Sequence, residues 1–187
     1  MLRIIGGTYK HQKLCAPKTL TRPTSAKLRE TFFNITQNTI EHANILDLFA
    51  GSGAIGIEAI SRGALRAVFV ENEKQAWLCL KKNLHAIGIE KQAAVYKTDA
   101  LHFLRRCEEL FDIVYIDPPY FFYEKHNDYL NTLLQEIVKK PLLQKKASIF
   151  IEAPTTFDLS LIKEHPSLCF LKSYKSGRSS LHSFIHQ

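Results

Sequence analysis

The sequence predicts an α/β fold in which a mostly parallel sheet carries helices on both faces. From residue 44 onward, short runs rich in β-branched and aromatic residues alternate with longer stretches of helical periodicity. Regular alternation of this kind indicates parallel strands joined by helices. The run Ile113-Val114-Tyr115-Ile116 is almost continuously apolar, as in a strand buried on both faces. With 187 residues, 45% of them hydrophobic, the chain suits one domain with a substantial core.

The individual elements follow from that alternation. The predicted parallel strands are Asn44–Phe49, Arg66–Glu71, Ala93–Thr98, Phe111–Asp117 and Ala147–Glu152. The predicted helices between them are Ala54–Arg62, Glu73–Ala86, Ala100–Glu109 and Asn127–Lys139. Two further strands, Phe170–Lys175 and Leu181–Ile185, flank the turn Ser176-Gly177-Arg178 and predict an antiparallel hairpin at the sheet edge. In an open α/β sheet, ligands bind in the crevice at the carboxyl ends of the strands.

The first 40 residues predict a small extension to this domain, made of a β-hairpin and a helix. The β-prone stretches Leu2–Ile5 and Lys10–Leu14 surround a pair of glycines. Thr24–Ile40 has helical spacing, and Thr24 or Ser25 provides a candidate N-cap. Residues 1–40 are therefore expected to form a basic unit that binds a substrate or closes over the site.

The net charge of +7 is concentrated at the two ends of the chain. Lys and Arg outnumber acids by six over residues 1–34 and by five over residues 139–187, whereas acids are in excess by four over residues 35–138. This distribution is expected if the ends bind a polyanion while the centre binds a cationic cofactor. A solvated basic surface would produce the same pattern.

The cysteines and apolar runs point to a cytosolic chain with no metal site and no membrane segment. The four cysteines lie far apart, without a Cys-x-x-Cys pair or a histidine at ligand spacing, so they are expected to be reduced thiols. The apolar stretch at the start is too short for a signal peptide, and no later run reaches the length of a bilayer span.

Residues Gly51-Ser52-Gly53-Ala54-Ile55-Gly56 match G-x-G-x-x-G at a predicted strand-to-helix turn, where glycines allow a ligand to approach the backbone. A dinucleotide site or a purely structural turn would share this pattern. Asp47, at the end of the preceding strand, is expected to face the pocket, where it would repel a pyrophosphate and attract the ammonium group of a methionine moiety. We therefore predict that S-adenosylmethionine binds to Asp47 and to the residues that follow its strand: Phe49, Ala50, Gly51, Ser52 and Gly53.

Two further acids follow the next strands. Glu71 ends the second strand, where it can accept hydrogen bonds from both ribose hydroxyls of a nucleoside, and an NAD enzyme would use it in the same way. Asp99, followed by Ala100, comes after the third strand and can accept a bond from an adenine amino group. Capping of the helix that begins at Ala100 is an alternative role for Asp99 and is compatible with the first.

Asp117-Pro118-Pro119-Tyr120 follows the most hydrophobic strand and is the most specific signal in the chain. The two prolines fix φ and remove two amide donors, so the backbone leaves the strand stiffly and presents carbonyl groups. The Asp117 carboxylate and the Pro118 carbonyl can bind both hydrogens of an exocyclic amine and orient its lone pair. Tyr120 provides a face on which an extruded base stacks. We therefore predict that Asp117–Tyr120 form the transfer site for a nucleobase amine, and that Phe121, Phe122 and Tyr123 pack in the core.

Further motifs accompany these two: Arg3–Gly7, Lys13-Leu14, Arg22-Pro23-Thr24, Arg29–Asn34, Ile57-Glu58-Ala59 and Ser61–Ala64. Together with Leu46–Gly53 and Asp117–Tyr120, they make the chain resemble the RsmD-type bacterial methyltransferases that modify guanine N2 in 16S ribosomal RNA. The resemblance extends over about residues 2–120 and is loose in the tail. It implies a class I S-adenosylmethionine-dependent, Rossmann-like methyltransferase fold with a seven-stranded, mostly parallel sheet.

The resemblance also implies a role for the basic N-terminus. Seven residues there are expected to hold RNA phosphates or to close over the site: Arg3, Lys10, Lys13, Arg22, Thr24, Lys27 and Arg29. The expected partner is 16S ribosomal RNA, either free or within a 30S particle, and the chain is expected to act as a monomer.

Three other functions share some of these features. Methylation of adenine N6 in DNA or RNA would use the same acceptor motif, although the chain has no separate target-recognition domain. An NAD-dependent oxidoreductase would share the glycine loop, but no Tyr-x-x-x-Lys or comparable hydride-transfer site is visible. A non-catalytic RNA-binding module would not need the intact acids Asp47, Glu71 and Asp117.

Overall fold

The computed structural model of the chain describes residues 2–17, 26–125 and 127–187. A two-stranded N-terminal hairpin precedes the main sheet, and its elements are β1 (Leu2–Arg3) and β2 (Lys13–Leu14). The helices are α1 (Ala26–Thr36), α2 (Ala54–Ser61), α3 (Lys74–Ile87), α4 (Ala100–Arg106), α5 (Phe121–Lys125) and α6 (Asn127–Lys139). The strands of the main sheet are β3 (Asn44–Leu48), β4 (Arg66–Val70), β5 (Ala93–Tyr96), β6 (Phe111–Ile116), β7 (Leu143–Pro154), β8 (Leu168–Ser176) and β9 (Ser179–His186).

The main sheet has seven strands in the order β5-β4-β3-β6-β7-β9-β8. Strands β3 to β7 pair in parallel, and β9 pairs antiparallel with both β7 and β8. The predicted α/β class, the mostly parallel sheet and the antiparallel C-terminal hairpin are therefore confirmed. The strand order reverses between β3 and β6, so the expected ligand crevice lies at the carboxyl ends of these two strands.

Several element bounds differ from the prediction. Strand β3 ends at Leu48 because Phe49 takes a left-handed backbone conformation with φ 64°. Strand β7 begins at Leu143 rather than at Ala147, and it includes Lys146 at φ 64° next to the register shift against β6. The start of β7 is polar and contains this irregularity. It therefore lacks the alternation of apolar and polar residues by which a strand is predicted from sequence. The short helix α5, which is separated from Pro118-Pro119 by one residue, was not predicted because five residues are too few to show helical periodicity.

The hydrophobic core lies on both faces of the sheet. On one face, β6 and β7 pack against α4 and α6, and this core includes Leu104, Leu133 and Ile137. On the other face, α1 packs Leu28, Phe32 and Phe33 against β3, β6 and β7. The Phe32 ring stands edge-on to Tyr115 and Phe150, at centroid distances of 5.0 and 4.9 Å. Helix α1 is therefore a layer of the domain itself rather than a separate appendage.

In the described ranges no helix combines the length and apolar character needed to span a membrane.

Candidate active site

The loop between β3 and α2 has an unusual backbone. Phe49, Gly51 and Gly53 have positive φ values of 64°, 56° and 79°. A positive φ is uncommon for an aromatic residue, and such strain is concentrated at functional sites. The amide of Ala50 donates to the Val70 carbonyl at 3.0 Å, which anchors the loop to the end of β4. A Cβ on Gly53 would lie 2.2 Å from Leu80 Cδ1, so the loop packs closely on α3 only because this residue is glycine.

Asp47 lies beneath this loop. Its side chain is 2% exposed, and its Oδ2 accepts a hydrogen bond from the Gly56 amide in the first turn of α2 at 3.1 Å. Burial raises the pKa of Asp47 to about 7, although the bond from Gly56 acts in the opposite direction. The sequence predicted a carboxylate that faces the pocket; in the structure this carboxylate is buried and hydrogen-bonded to α2, and contact with the cofactor stays a prediction. The amides in the first turn of a helix have no partner within the helix, and the Gly56 amide finds one in the Asp47 carboxylate.

Glu71 is held against the same loop by both of its carboxylate oxygens. Oε2 accepts from the Gly51 amide at 2.7 Å, and Oε1 accepts from the Glu73 amide at 2.7 Å. Burial raises the pKa of Glu71, and these two bonds oppose the shift. Because a carboxylate has about four lone-pair sites, the two amides leave acceptor capacity for ribose hydroxyls.

Asp99 caps helix α4 and remains exposed. Its Oδ1 accepts from the His102 amide at 3.1 Å, and its Oδ2 accepts from the Tyr129 hydroxyl at 3.2 Å. The predicted capping role is therefore confirmed, and contact with an adenine amino group stays a prediction. The adjacent Ala100 is buried in the core, 3% exposed.

An aromatic wall, which the sequence did not predict, lines the crevice between the glycine loop and Asp99. The rings of Phe122 and Tyr129 stack at 4.3 Å, and Phe49 lies 6.1 and 6.3 Å from these two rings. Burial raises the pKa of Tyr129, so its hydroxyl remains a donor. The only sequence signal for this wall was the aromatic run after Pro119, which predicted core packing.

These features fit S-adenosylmethionine. The positive-φ residues let the backbone approach the ligand, two exposed or half-buried carboxylates provide acceptors for a nucleoside, and the Asp47 carboxyl group lies beneath the loop. Among the residues that the structure describes, no group of His, Cys, Asp and Glu side chains is arranged to hold a metal ion.

Asp117 directly follows β6, the strand next to β3. Leu48 pairs with Ile116 in the β3–β6 register, and the Asp117 amide donates to the Leu48 carbonyl at 3.4 Å. The ends of the two strands are therefore adjacent. The Asp-Pro-Pro-Tyr motif and the glycine loop lie side by side, as the ligand crevice of an α/β sheet requires.

Two tyrosines on either side of the Asp-Pro-Pro-Tyr motif, Tyr115 and Tyr123, both donate hydrogen bonds to Glu152. Tyr115 donates to Glu152 Oε2 at 3.0 Å, and Tyr123 donates to the Glu152 carbonyl at 2.6 Å. Burial raises the pKa of both tyrosines, and the negative charge of Asp117 raises them further, so both hydroxyls stay protonated. Tyr115 therefore links β6 to β7, and Tyr123 links α5 to the same strand.

The rest of the motif turns the chain into α5. Pro118 is buried, and the carbonyls of Pro119 and Tyr120 accept from the Phe122 and Tyr123 amides at 3.0 and 2.9 Å. The Tyr120 ring is 41% exposed, and its hydroxyl is hydrogen-bonded to Ser179 Oγ. Core packing was wrong for Phe121, which is 49% exposed because the turn of α5 directs it outward.

The seven residues that were expected to contact RNA at the N-terminus fall into three groups. Arg3, Lys10, Lys13 and Lys27 are exposed, as contact with RNA requires. Arg22 and Thr24 lie outside the described residues. Arg29 must be corrected: its side chain is only 3% exposed, which places it beyond the reach of a phosphate.

Arg29 belongs to a buried polar cluster that joins three segments. Its Nε lies 3.3 Å from Glu58 Oε2, and its Nη2 donates to the Arg3 carbonyl at 2.7 Å. Glu58, 0% exposed, also accepts from the Ile5 amide at 3.2 Å and from Arg62 at 2.8 Å. Burial lowers the pKa of Arg29 and raises that of Glu58. The cluster connects the N-terminal hairpin to α1 and α2, so these residues have a structural role.

Asn83, a residue that the sequence did not single out, connects the N-terminal segment to the glycine loop. Its Oδ1 accepts from the Cys15 amide at 2.7 Å, and its Nδ2 donates to the carbonyls of Cys15 and Ser52 at 3.0 and 2.9 Å. The segment after β2 therefore passes beside the cofactor loop. An isolated asparagine in a helix carries no sequence signal for such a contact.

Comparison with known proteins agrees with this geometry. A family model described as "Conserved hypothetical protein 95" matches residues 2–185. The "Ribosomal RNA small subunit methyltransferase D" of Buchnera aphidicola subsp. Baizongia pistaciae is 33% identical over 179 residues, which cover 95% of this chain and 87% of that protein. The protein of the same name from Buchnera aphidicola subsp. Acyrthosiphon pisum is 36% identical over 151 residues, covering 80% and 76%.

A solved structure described as "Putative methyltransferase yhhF" from Escherichia coli aligns with a TM-score of 0.87 at 28% identity, covering 100% of this chain and 98% of that one. This likeness confirms the predicted methyltransferase fold. From the sequence matches and the fold together, the chain belongs to the conserved hypothetical protein 95 family, which includes relatives named ribosomal RNA small subunit methyltransferase D.

Proposed function

We propose that this protein transfers a methyl group from S-adenosylmethionine to the exocyclic N2 of a guanine in small-subunit (16S) ribosomal RNA. The observation that supports the proposal is the adjacency of the β3 and β6 ends, which brings the glycine loop next to the Asp-Pro-Pro-Tyr motif. The relatives named for small-subunit ribosomal RNA support the choice of substrate.

The cofactor side of the crevice is built from the glycine loop and three acids. S-adenosylmethionine supplies an electrophilic methyl group on a sulfonium centre. Gly51 and Gly53 would allow close approach of the backbone, Glu71 would accept from the ribose hydroxyls and Asp99 would accept from the adenine amino group. Asp47 lies next to the loop, where its carboxyl group, when ionised, would favour the cationic ligand over a diphosphate.

The acceptor side holds the amine and its base. The Asp117 carboxylate and the Pro118 carbonyl accept the two N–H hydrogens of guanine N2 and direct the nitrogen lone pair toward the methyl group. The exposed ring of Tyr120 stacks on the base. When the nitrogen becomes cationic after transfer, Asp117 takes the released proton.

The exposed cations at both ends of the chain would bind the RNA backbone. Arg3, Lys10, Lys13 and Lys27 lie on the N-terminal segment and α1, and Lys175 and Arg178 lie on the C-terminal hairpin. Binding of this kind is sensitive to salt and insensitive to base sequence. The protein acts as a monomer on RNA that is free or within a 30S particle.

Methylation with labelled S-adenosylmethionine tests the proposal. Deproteinised 16S RNA from a strain that lacks this protein, 30S particles from the same strain and duplex DNA are compared, and the product is identified by mass spectrometry of the nucleosides. We expect N2-methylguanosine in one or both ribosomal substrates. Labelling confined to DNA, or N6-methyladenosine as the product, would contradict the proposal.

Two variants on the same strand test the site. We expect Asp117→Asn to lower kcat by at least about a hundredfold, because it removes a charged acceptor at the reacting nitrogen, with cofactor affinity within a few-fold of the parent. Asp112→Asn is the matched control, because Asp112 lies at the opposite end of β6, where it accepts from the Asn44 amide at 2.8 Å. Equal turnover in both variants would show that the transfer site lies elsewhere.

A further inference from the structure

The turn between β8 and β9 lies beside the acceptor motif. In the sheet register Pro154 pairs with Ser179, and Ser176 pairs with Ser179 across the hairpin. The Thr155 amide also donates to the Arg178 carbonyl at 2.9 Å, which fastens the turn to the end of β7. Because β7 runs parallel to β6, the turn lies at the carboxyl end of the parallel strands, the same end at which Asp117 follows β6.

Ser179 contacts Tyr120, the aromatic residue of the Asp-Pro-Pro-Tyr motif, whose exposed ring is available to stack on a base. Its Oγ is hydrogen-bonded to the Tyr120 hydroxyl, while the Tyr120 ring stays 41% exposed. An exposed tyrosine otherwise samples several rotamers, and binding a base must then order it. A hydroxyl fixed at the far end of the ring lowers that cost, because the stacking face is held in place before the base arrives.

Arg178 places a cation at the same edge. Its side chain is exposed, and it forms no ion pair with any side chain that the structure describes. Lys175, three residues earlier on β8, is exposed as well. A guanidinium group binds phosphate through two parallel N–H donors, so it suits an RNA backbone that passes beside an extruded base.

We propose that the turn Ser176–Ser179 is part of the RNA-binding surface, with Ser179 as a positioning residue for Tyr120 and Arg178 as the ligand of a phosphate next to the target guanine. This inference rests on the proposed function, since it assigns a further part of the same acceptor site.

A double-mutant cycle tests the positioning role. We expect Ser179→Ala and Tyr120→Phe each to lower kcat/KM for the RNA by about three- to tenfold, the value of one lost hydrogen bond. The double variant should have a kcat/KM no lower than that of the less active single variant, because both changes remove the same bond. Ser179→Thr retains the hydroxyl and should restore activity. The Kd for S-adenosylmethionine should stay at the parental value, and Tm should fall by no more than about 6 °C, as for one lost hydrogen bond. Additive losses, or full activity of both single variants, would overturn the role of Ser179.

The salt dependence of RNA binding tests Arg178. We expect Arg178→Gln to reduce the slope of log K against log salt concentration by about 0.7–0.9, corresponding to one lost phosphate contact, over about 50 to 200 mM salt. Lys145→Gln removes an equally exposed charge near the amino end of β7, away from the site, and should leave the slope unchanged. Equal slopes for both variants would overturn the role of Arg178.

A parent protein that methylates no RNA would overturn the proposed function together with this inference, whereas an active parent with normal turn variants would overturn the inference alone.

Discussion

Gly53 provides a quantitative test of the glycine loop. Its φ of 79° lies in the left-handed region, and an added Cβ would lie 2.2 Å from Leu80 Cδ1 and 3.1 Å from Ile57 Cδ1. Gly53→Ala therefore combines backbone strain with a clash against α3. Gly88 separates the two effects, because its φ of 78° is almost the same while an added Cβ meets no described atom within 4 Å.

The expected cost follows from these two terms. A left-handed non-glycine residue costs about 1–2 kcal/mol, and this is the full effect expected for Gly88→Ala. Overpacking adds about 1–3 kcal/mol, so Gly53→Ala should lower the free energy of unfolding by about 2–5 kcal/mol in total. For a domain of this size, 1 kcal/mol shifts Tm by about 2–4 °C. The expected losses are therefore about 2–8 °C for Gly88→Ala and about 4–20 °C for Gly53→Ala.

Thermal unfolding and urea titration of the parent and both variants measure these losses. Calorimetry with S-adenosylmethionine, at a temperature where each variant is folded, should show weaker binding for Gly53→Ala and parental affinity for Gly88→Ala. A Gly53→Ala protein as stable as Gly88→Ala would refute the reasoning, because the clash with Leu80 would then be relieved without cost.

Three other changes have expected outcomes. Glu58→Ala should lower the free energy of unfolding by about 3–5 kcal/mol in urea titration, because it leaves Arg29 buried without its carboxylate; a loss below about 1 kcal/mol would contradict the buried cluster. Since burial raises the pKa of Asp47 to about 7, the native state keeps a proton that the unfolded chain loses above about pH 4. Stability from this group therefore falls as pH rises from about 4 to 7, and the advantage of Asp47→Asn over the parent should grow across that window; a constant difference would refute the shifted pKa. Glu71→Ala should weaken S-adenosylmethionine binding in calorimetry by about 1.5–3 kcal/mol, roughly ten- to hundredfold, and unchanged affinity would exclude contact with the ribose.

Much of the fold was predictable because its signals are local. The near-continuous apolar run of β6 and the glycines after β3 depend on a few neighbouring residues, and the structure has both elements where the sequence placed them. Arg29 was misjudged for the opposite reason. Its place in the basic N-terminus predicted contact with RNA, and the carboxylate that draws it inward, Glu58, comes from the next helix.

The candidate active site likewise has parts that the sequence predicted and parts that it did not. The residue types that suit an amine acceptor and a nucleoside were visible in Asp117–Tyr120 and Glu71, because chemistry depends on side-chain identity and on short spacings. The aromatic wall of Phe122 and Tyr129 was not visible, because α5 and α6 fold these rings together only after the chain turns at Pro119.

By itself, the sequence determined the alternation of strands and helices, the tight turn at Gly51–Gly53 and the stiff exit at Pro118-Pro119, since each depends on local backbone preferences. Only the tertiary structure decided that β3 lies next to β6, that the Asp47 side chain is buried, and that Ser179 reaches Tyr120 across 59 residues. The reason is physical: strand order and burial arise from contacts between distant segments, and their free energy depends on the packing of the whole domain rather than on any single stretch of chain.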